Sequence, residues 1–377
     1  MEPEPHKRPI RFYEIDLLRF LAALSVVIYH YTYRGYSEGH YSPIAFPELG
    51  QVSRYGYLGV ELFFIISGYV VLLSAQGKTV RQFFLSRVTR LYPAFWVACT
   101  LTFLVKLLWG ATPADVNMSQ LLHASPVQYV VNMSMLPEFL HIEVMDGAYW
   151  SLTVEITFYL LVAVLISFDL LKHITLVIAL WLAYTAMPGA VRGGMLFPTL
   201  FFPAYAPYFA AGMLLYLMQL PEGRTWQRYA LLLVSYLLGL RASVGRVGSY
   251  ALMYHEPFSG KVVAAVITVC FVVMALVAFR KIDLSRFTWL AWLGALTYPL
   301  YLLHSDIGFI IFHRLQHTTN KYVLVGGTFL LMLAAAYLVH VFIEKRLSKA
   351  LGHQVNRLLT ALAKEPKFSE VAATRVK

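Results

Sequence analysis

The sequence is poor in charge. Lys, Arg, Asp and Glu make up 14% of its 377 residues, against 59% apolar residues. A soluble domain carries nearer a quarter charged residues, so a globule surrounded by water is excluded. Cysteine is scarce too. Cys99 and Cys270 are the two present, and both fall inside apolar runs. They read as small buried hydrophobes, not as a disulfide or a metal pair, and no metal is expected. No internal repeat is visible, so the inverted repeats of a secondary transporter are not apparent. A cleavable signal peptide is not evident either. The first apolar segment is long, has no convincing small-residue cleavage site, and is expected to be a retained signal anchor.

What the sequence has in quantity is apolar length. Runs of 18 or more mostly apolar residues recur from Tyr13 to Phe342. They predict an all-α, polytopic membrane bundle of about ten transmembrane helices. The spans are expected near 13–33, 57–75, 91–110, 149–168, 173–187, 197–218, 228–243, 260–279, 289–312 and 321–343. The net charge of +11 invites a nucleic-acid reading, but its distribution argues against one. With the N-terminus inside, 21 of the 31 Lys and Arg fall on the cytoplasmic side and 8 on the outer side. That asymmetry predicts N-in and C-in, with the basic charge serving topology and phospholipid contact. The even spread of spans predicts one membrane domain over 10–345. A polar cytoplasmic tail, 1–9, precedes it, and a basic cytoplasmic tail, 346–377, follows it, expected to be too short for an appended enzyme domain.

Two further segments stand out. The outer loop 112–148 has no Lys or Arg and is mildly amphipathic. It is expected to lie along the outer interface, either shaping an acceptor site or acting as a tether. The run PTLFFPAYAPYFAAG (198–212) puts three prolines beside a span. Broken membrane helices are tolerated where neighbours or a cavity satisfy the freed backbone groups, so this span is expected to line a cavity.

Ionisable groups inside spans are costly and mark functional paths by default. Arg19 and His30 lie eleven residues apart in IDLLRFLAALSVVIYH, which is about three helical turns, so both face one way about 16 Å apart. Asp16 is spaced to pair with Arg19. His30 alone is equally readable as an interfacial histidine bonded to a neighbour. Glu61, in GYLGVELFFIISGYV, falls at a depth similar to His30 and is placed to orient its imidazole, or else snorkels at the rim. Ser67 and Gly68 lie deeper and allow close helix approach or passage of a thin ligand. Arg87 and Arg90 share one face at the cytoplasmic mouth of the third span. They suit phosphate groups, and ordinary positive-inside anchoring is the plainer reading. In DGAYWSLTVEITFYL, Ser151 and Glu155 share a face and Trp150 suits the interface. Glu155 needs a partner, structural or catalytic. In LGALTYPLYLLHSDIGF, Tyr298, Tyr301 and His304 are polar groups of the ninth span, readable as a buried hydrogen-bond network. A phosphate-bearing donor docked on inner arginines, with its reactive end at an outer imidazole, links these groups. A proton-coupled transporter would use the same residue types.

The chain resembles the acyltransferase-3 family of integral membrane acyltransferases over about 10–345. The likeness rests on the Arg19/His30 pair, FFIISGY (63–69), the Arg87/Arg90 pair, YWSLTVEITFY (149–159) and LTYPLYLLH (296–304), in that order. FIEKRL (342–347) resembles the closing motif, with Arg346 where a proline is common. The resemblance implies a ten-helix bundle that takes an acyl group, usually acetyl, from cytoplasmic acyl-CoA. It also implies a carbohydrate-type hydroxyl as acceptor, commonly at the outer face. The implied location is the bacterial cytoplasmic (inner) membrane, and the implied partners are acyl-CoA, a glycan or lipid-linked saccharide and membrane lipids, with no nucleic acid. His30 matches an essential histidine, with Glu61 or Glu155 expected to orient it, as general base or transient acyl carrier. Arg19, Arg87, Arg90 and Ser67 are expected on the donor, and Trp150, Ser151, Tyr298, Tyr301 and His304 on the acceptor. A transporter without acyl-transfer chemistry is the competing reading from another class.

Overall fold

The computed structural model describes residues 12–190 and 196–364, so the expected tail 1–9 and the stretch 365–377 lie outside the described residues. Every regular element among the described residues is helical. Helix α1 (Tyr13–Tyr29) runs into a π-helical turn at His30–Arg34. Then come α2 (Gly59–Ala75), α3 (Val80–Trp109), the short α4 (Pro126–Asn132) and α5 (Trp150–Ser167). They are followed by α6 (Ile174–Ala186), α7 (Leu196–Phe201), α8 (Ala206–Leu217), α9 (Trp226–Gly245) and α10 (Val247–Tyr254). The chain ends in α11 (Gly260–Ala278), α12 (Leu290–Leu303), α13 (Ser305–Leu315), α14 (Lys321–Leu338) and α15 (Lys345–Lys364). The end of the bundle bearing Arg19 is called inner and the end bearing His30 outer, after the charge asymmetry.

Among the described residues, eight helices are long and apolar enough to cross a membrane, or nine if the bent pair α12–α13 is one span. Ten were expected. The shortfall is the fifth span, 173–187. Helix α6 has 13 residues, about 20 Å of helix, against a hydrocarbon core of roughly 30 Å. The proline-rich sixth span is broken as its sequence predicts: α7 and α8 are separated at 202–205, and Tyr205 lines a cavity.

The inner half is held by a close crossing of α2 and α8. A Cβ on Gly68 would collide with the Phe209 carbonyl, and one on Gly212 with the Ile65 carbonyl. Small residues let two backbones meet there, a source of packing energy that survives in lipid. Helix α3 starts at a capping box in which Thr79 and Gln82 satisfy each other's backbone N–H groups.

One expectation is corrected. The loop 112–148 does not lie flat on the outer interface. It descends beside α3, where the Thr100 hydroxyl meets Tyr129 Oη, Trp96 Nε1 donates to the Met133 carbonyl, and Tyr92 Oη donates to the Ser134 carbonyl. Tyr92 lies about 25 Å below the outer end of α3. The absence of Lys and Arg in this loop is what permits the descent, and Val127 and Val130 stay exposed there as lipid-facing groups do. The C-terminal tail, expected to be polar and basic, is helical through Lys364. It continues α14 through a π turn and is pinned to α3, where Arg81 donates to both the side chain and the carbonyl of Asn356.

Candidate active site

The site is built on a break in the ninth span. Helices α12 and α13 meet at His304 with a bend of 61°. A bend inside a membrane frees backbone groups that lipid cannot satisfy. Here side chains take them up. The Tyr301 carbonyl accepts from His304 Nδ1 at 2.8 Å, the Leu302 carbonyl from Tyr149 Oη at 3.0 Å, and the His304 carbonyl from Tyr31 Oη at 2.8 Å. The Asp306 N–H donates to Asp146 Oδ2 at 2.9 Å.

These contacts set the proton positions. A carbonyl can only accept, so His304 carries its proton on Nδ1 and presents a lone pair at Nε2. That nitrogen lies 3.0 Å from His30 Nδ1, which must therefore be the donor. His30 is left with its lone pair on Nε2. Arg34 Nη1 donates to that nitrogen at 3.1 Å and is itself paired with Glu38 at 2.5 Å. The π turn places Arg34 back over His30, with the Gly35 N–H bonded to the His30 carbonyl five residues earlier. π-Helical turns inside α-helices recur at functional sites. Both imidazoles are buried.

His30 is therefore not oriented by either expected carboxylate, because both of its ring nitrogens are taken. Glu61 is paired with Arg246 at 2.6 Å. Glu155 Oε1 accepts from Ser67 Oγ at 2.9 Å and from Tyr159 Oη at 2.6 Å.

Two cavities abut in the middle of the bundle. The inner one is lined by Arg19, Arg90, Ser67, Glu155, Ser151 and Tyr298, the outer one by His30, Arg34, Glu38, Glu61, Trp150 and Arg246. Val60 and Tyr301 line both. Tyr301 is fixed there: its hydroxyl lies 2.7 Å from Ser151 Oγ and donates to the Ala148 carbonyl at 2.8 Å. Tyr298 Oη reaches the Leu91 carbonyl at 3.3 Å. Neither Arg19 nor Arg90 has an ion pair or hydrogen bond to a described residue, and both face the inner cavity. Arg87, expected beside Arg90 on a ligand, is instead buried in the wall with its guanidinium over the rings of Phe83 and Tyr159.

Several residues of the site were not singled out from the sequence. Lys106 Nζ contacts Asp306 Oδ2 at 2.7 Å, both almost fully buried, and donates to the Leu121 carbonyl at 2.9 Å. Asp146 joins them, with Oδ1 accepting from the Ala148 N–H at 2.8 Å. Burial, with the nearby Asp306 carboxylate, pushes the Asp146 carboxyl up to about 8. Signals existed: Arg34 is four residues after His30, Asp306 two after His304, and Asp146 opens the motif containing Trp150. His30 and His304 are 274 residues apart, and nothing local links them.

A family model described as an acyltransferase domain matches residues 12–343. The O-acetyltransferase OatA of Staphylococcus aureus strains NCTC 8325 / PS 47, COL and MRSA252 is 28% identical to the chain over 171 residues. That match spans 41% of this chain and 24% of the relative's length. No solved structure matches significantly. With the domain matched along most of its length, the chain belongs to the acyltransferase-3 family and is a membrane acyltransferase.

Proposed function

We propose that the protein transfers an acyl group, acetyl in the first instance, from cytoplasmic acyl-CoA to a hydroxyl of a carbohydrate-type acceptor. It would do so in the bacterial cytoplasmic membrane with both termini inside. One observation carries this reading: a cavity with two arginines that have no ion pair or hydrogen bond to a described residue abuts, across Val60 and Tyr301, a cavity containing an oriented imidazole. Guanidinium groups without carboxylate partners suit the phosphates of CoA. The thioester arm then points toward Tyr301 and His30. The likeness to O-acetyltransferases supports acetyl and a hydroxyl acceptor.

The chemistry follows from the tautomers. His304 Nε2 accepts from His30 Nδ1 and so holds His30 with Nε2 as the basic atom. The acceptor hydroxyl takes Arg34's place at that nitrogen, and Glu38 keeps Arg34 paired when it is displaced. Nε2 takes the hydroxyl proton as the oxygen attacks the thioester carbonyl. The C–S bond breaks, the ester forms, and the departing CoA thiolate takes the proton from His30. The imidazole returns to its starting tautomer.

The test is mass spectrometry of surface glycans from a deletion strain, complemented with the native chain or with His30→Ala at matched membrane abundance. Acyl groups restored by the native chain alone support the proposal. Restoration by both refutes the role of His30. Glycans unchanged by deletion, with no acyl-CoA turnover by the purified chain, favour a transporter. A labelled acyl group trapped on His30 in a single turnover would replace the general base with a covalent relay.

A further inference from the structure

The outer cavity contains polar atoms that the acyl-transfer chemistry leaves unused. Glu61 is 2% exposed. Its Oε1 is spent on Arg246 Nη2, but its Oε2 is buried with no hydrogen-bond partner. Arg246 donates from Nη1 to Tyr205 Oη at 3.1 Å and from Nη2 to Ser243 Oγ at 3.1 Å, while its Nε is buried and unpartnered. Tyr57 Oη is the third such atom. Five buried side-chain atoms among the described residues lack a partner, and three of them belong to residues that line this one cavity. A buried polar group without a partner is costly, and clustering of such groups in a native wall calls for a reason. Together they offer one anionic acceptor, one cationic donor and one hydroxyl.

The rest of the wall narrows what would use them. Tyr29, Tyr57, Trp150, Tyr205, Tyr250 and Tyr254 line it. The Tyr29 and Tyr254 hydroxyls bond each other at 2.6 Å and Tyr205 Oη serves Arg246, so these residues contribute ring surface. The charges cancel: Arg34 and Arg246 are matched by Glu38 and Glu61. The inner cavity differs, with Arg19 and Arg90 against Glu155 alone. An anionic or cationic guest would pay desolvation in the outer cavity with no surplus of opposite charge to offset it. A pyranoside without a charged substituent has an apolar C–H face for the rings and hydroxyls that both donate and accept.

We propose that Glu61, Arg246 and Tyr57 form the acceptor subsite and select an uncharged pyranoside. Its ring lies on the aromatic wall, its hydroxyls meet Glu61 Oε2, Arg246 Nε and Tyr57 Oη, and one further hydroxyl is delivered to His30. The assignment rests on the acyl-transfer reading of His30, and the balanced pair Glu61–Arg246 is what sets the preference for a neutral ring.

The experiment uses the full chain in lipid nanodiscs free of sugar detergents. Saturation-transfer NMR measures binding of methyl gluco-, galacto- and mannopyranosides and of the methyl uronides with the same rings. At least one neutral glycoside is expected to bind about tenfold tighter than its uronide, the scale of one charge-assisted hydrogen bond. Glu61→Gln leaves Arg246 unmatched, so it is expected to weaken the neutral ligand about tenfold and shift preference toward the uronide. Equal or tighter uronide binding to the native chain overturns the proposal, as does failure of every neutral probe. Unchanged binding by a folded Glu61→Gln chain also overturns it. Should Glu61→Gln not fold, Tyr57→Phe removes one hydroxyl and must still weaken the neutral ligand. CoA release from acetyl-CoA is assayed alongside. A preference for uronides with His30-dependent CoA release sinks this inference and leaves acyl transfer standing. Neutral-glycoside binding without CoA release supports the subsite and sinks acyl transfer.

Discussion

Loss of the Lys106 ammonium probes the bent span most directly. Lys106 is the cation in contact with Asp306, at 2.7 Å, with side chains 1% and 4% exposed. Asp306 in turn ties the outer loop to the bend: its Oδ1 accepts from the Gly147 N–H at 3.2 Å, and its own N–H is bonded to Asp146. Lys106→Met leaves the Asp306 carboxylate buried without its cation. Breaking a buried pair from one side costs about 3–5 kcal/mol, most of it the price of an uncompensated charge. Asp306→Asn strands the ammonium instead and is expected to cost about as much. The double variant removes both charges. It is expected to be less destabilised than the two single losses added together, by about 1–3 kcal/mol of coupling. Unfolding of the four proteins in nanodiscs, followed by Trp fluorescence, measures this cycle. Strict additivity, or a Lys106→Met chain as stable as the parent, would refute the claim that this pair holds the bend.

Three further outcomes are expected. His304→Phe keeps an aromatic ring of similar size but cannot accept the His30 proton, so kcat for acyl transfer should fall about 10²–10⁴-fold with KM for acetyl-CoA little changed; parent-like kcat would count against the imidazole pair. Arg90→Gln should raise KM for acetyl-CoA about tenfold or more, read by steady-state CoA release, whereas Arg87→Gln, packed between two rings, should lower thermal stability more than donor affinity. The Asp146 carboxyl is raised in the folded chain from 3.8 to about 8, so between those values the folded state holds more protons than the unfolded chain. Stability from this group is present at low pH and is lost as pH rises through about 8; the apparent melting temperature should fall over that rise, and Asp146→Asn should flatten the dependence.

The helical class and most of the spans were legible because burying an unbroken backbone in lipid leaves few alternatives. Arg19 and His30 are also found where an eleven-residue spacing puts them, facing one way in adjoining cavities. Partners were not legible. Glu61 was matched to His30 by depth alone, but a carboxylate bonds the strongest donor in reach, and that donor, Arg246, comes from a junction 185 residues away. Arg87 and Arg90 share a helical face by spacing, yet Tyr159 occupies the position over Arg87 and leaves only Arg90 facing the cavity. The descent of the loop 112–148 left a sequence trace in its missing Lys and Arg, but that trace also suits an interfacial segment.

The bend at His304 explains why the site needs residues from so many elements. A straight ninth span would bond the Tyr301 and Leu302 carbonyls within its own helix, and His304 Nδ1 would then have no fixed carbonyl to donate to. Bending frees the Tyr301 carbonyl, which sets the His304 tautomer and through it the atom of His30 that faces the outer cavity. The same bend leaves Tyr301 between the cavities with its hydroxyl tied to Ser151 and the Ala148 carbonyl. A side chain held at both ends of its hydrogen bonding is a poor gate but a good divider. By the proposed mechanism, an acyl thioester arm crosses where Val60 and Tyr301 line both cavities. On the proposed reading, the backbone break orients the base and also separates a cation-rich donor chamber from a charge-balanced acceptor chamber.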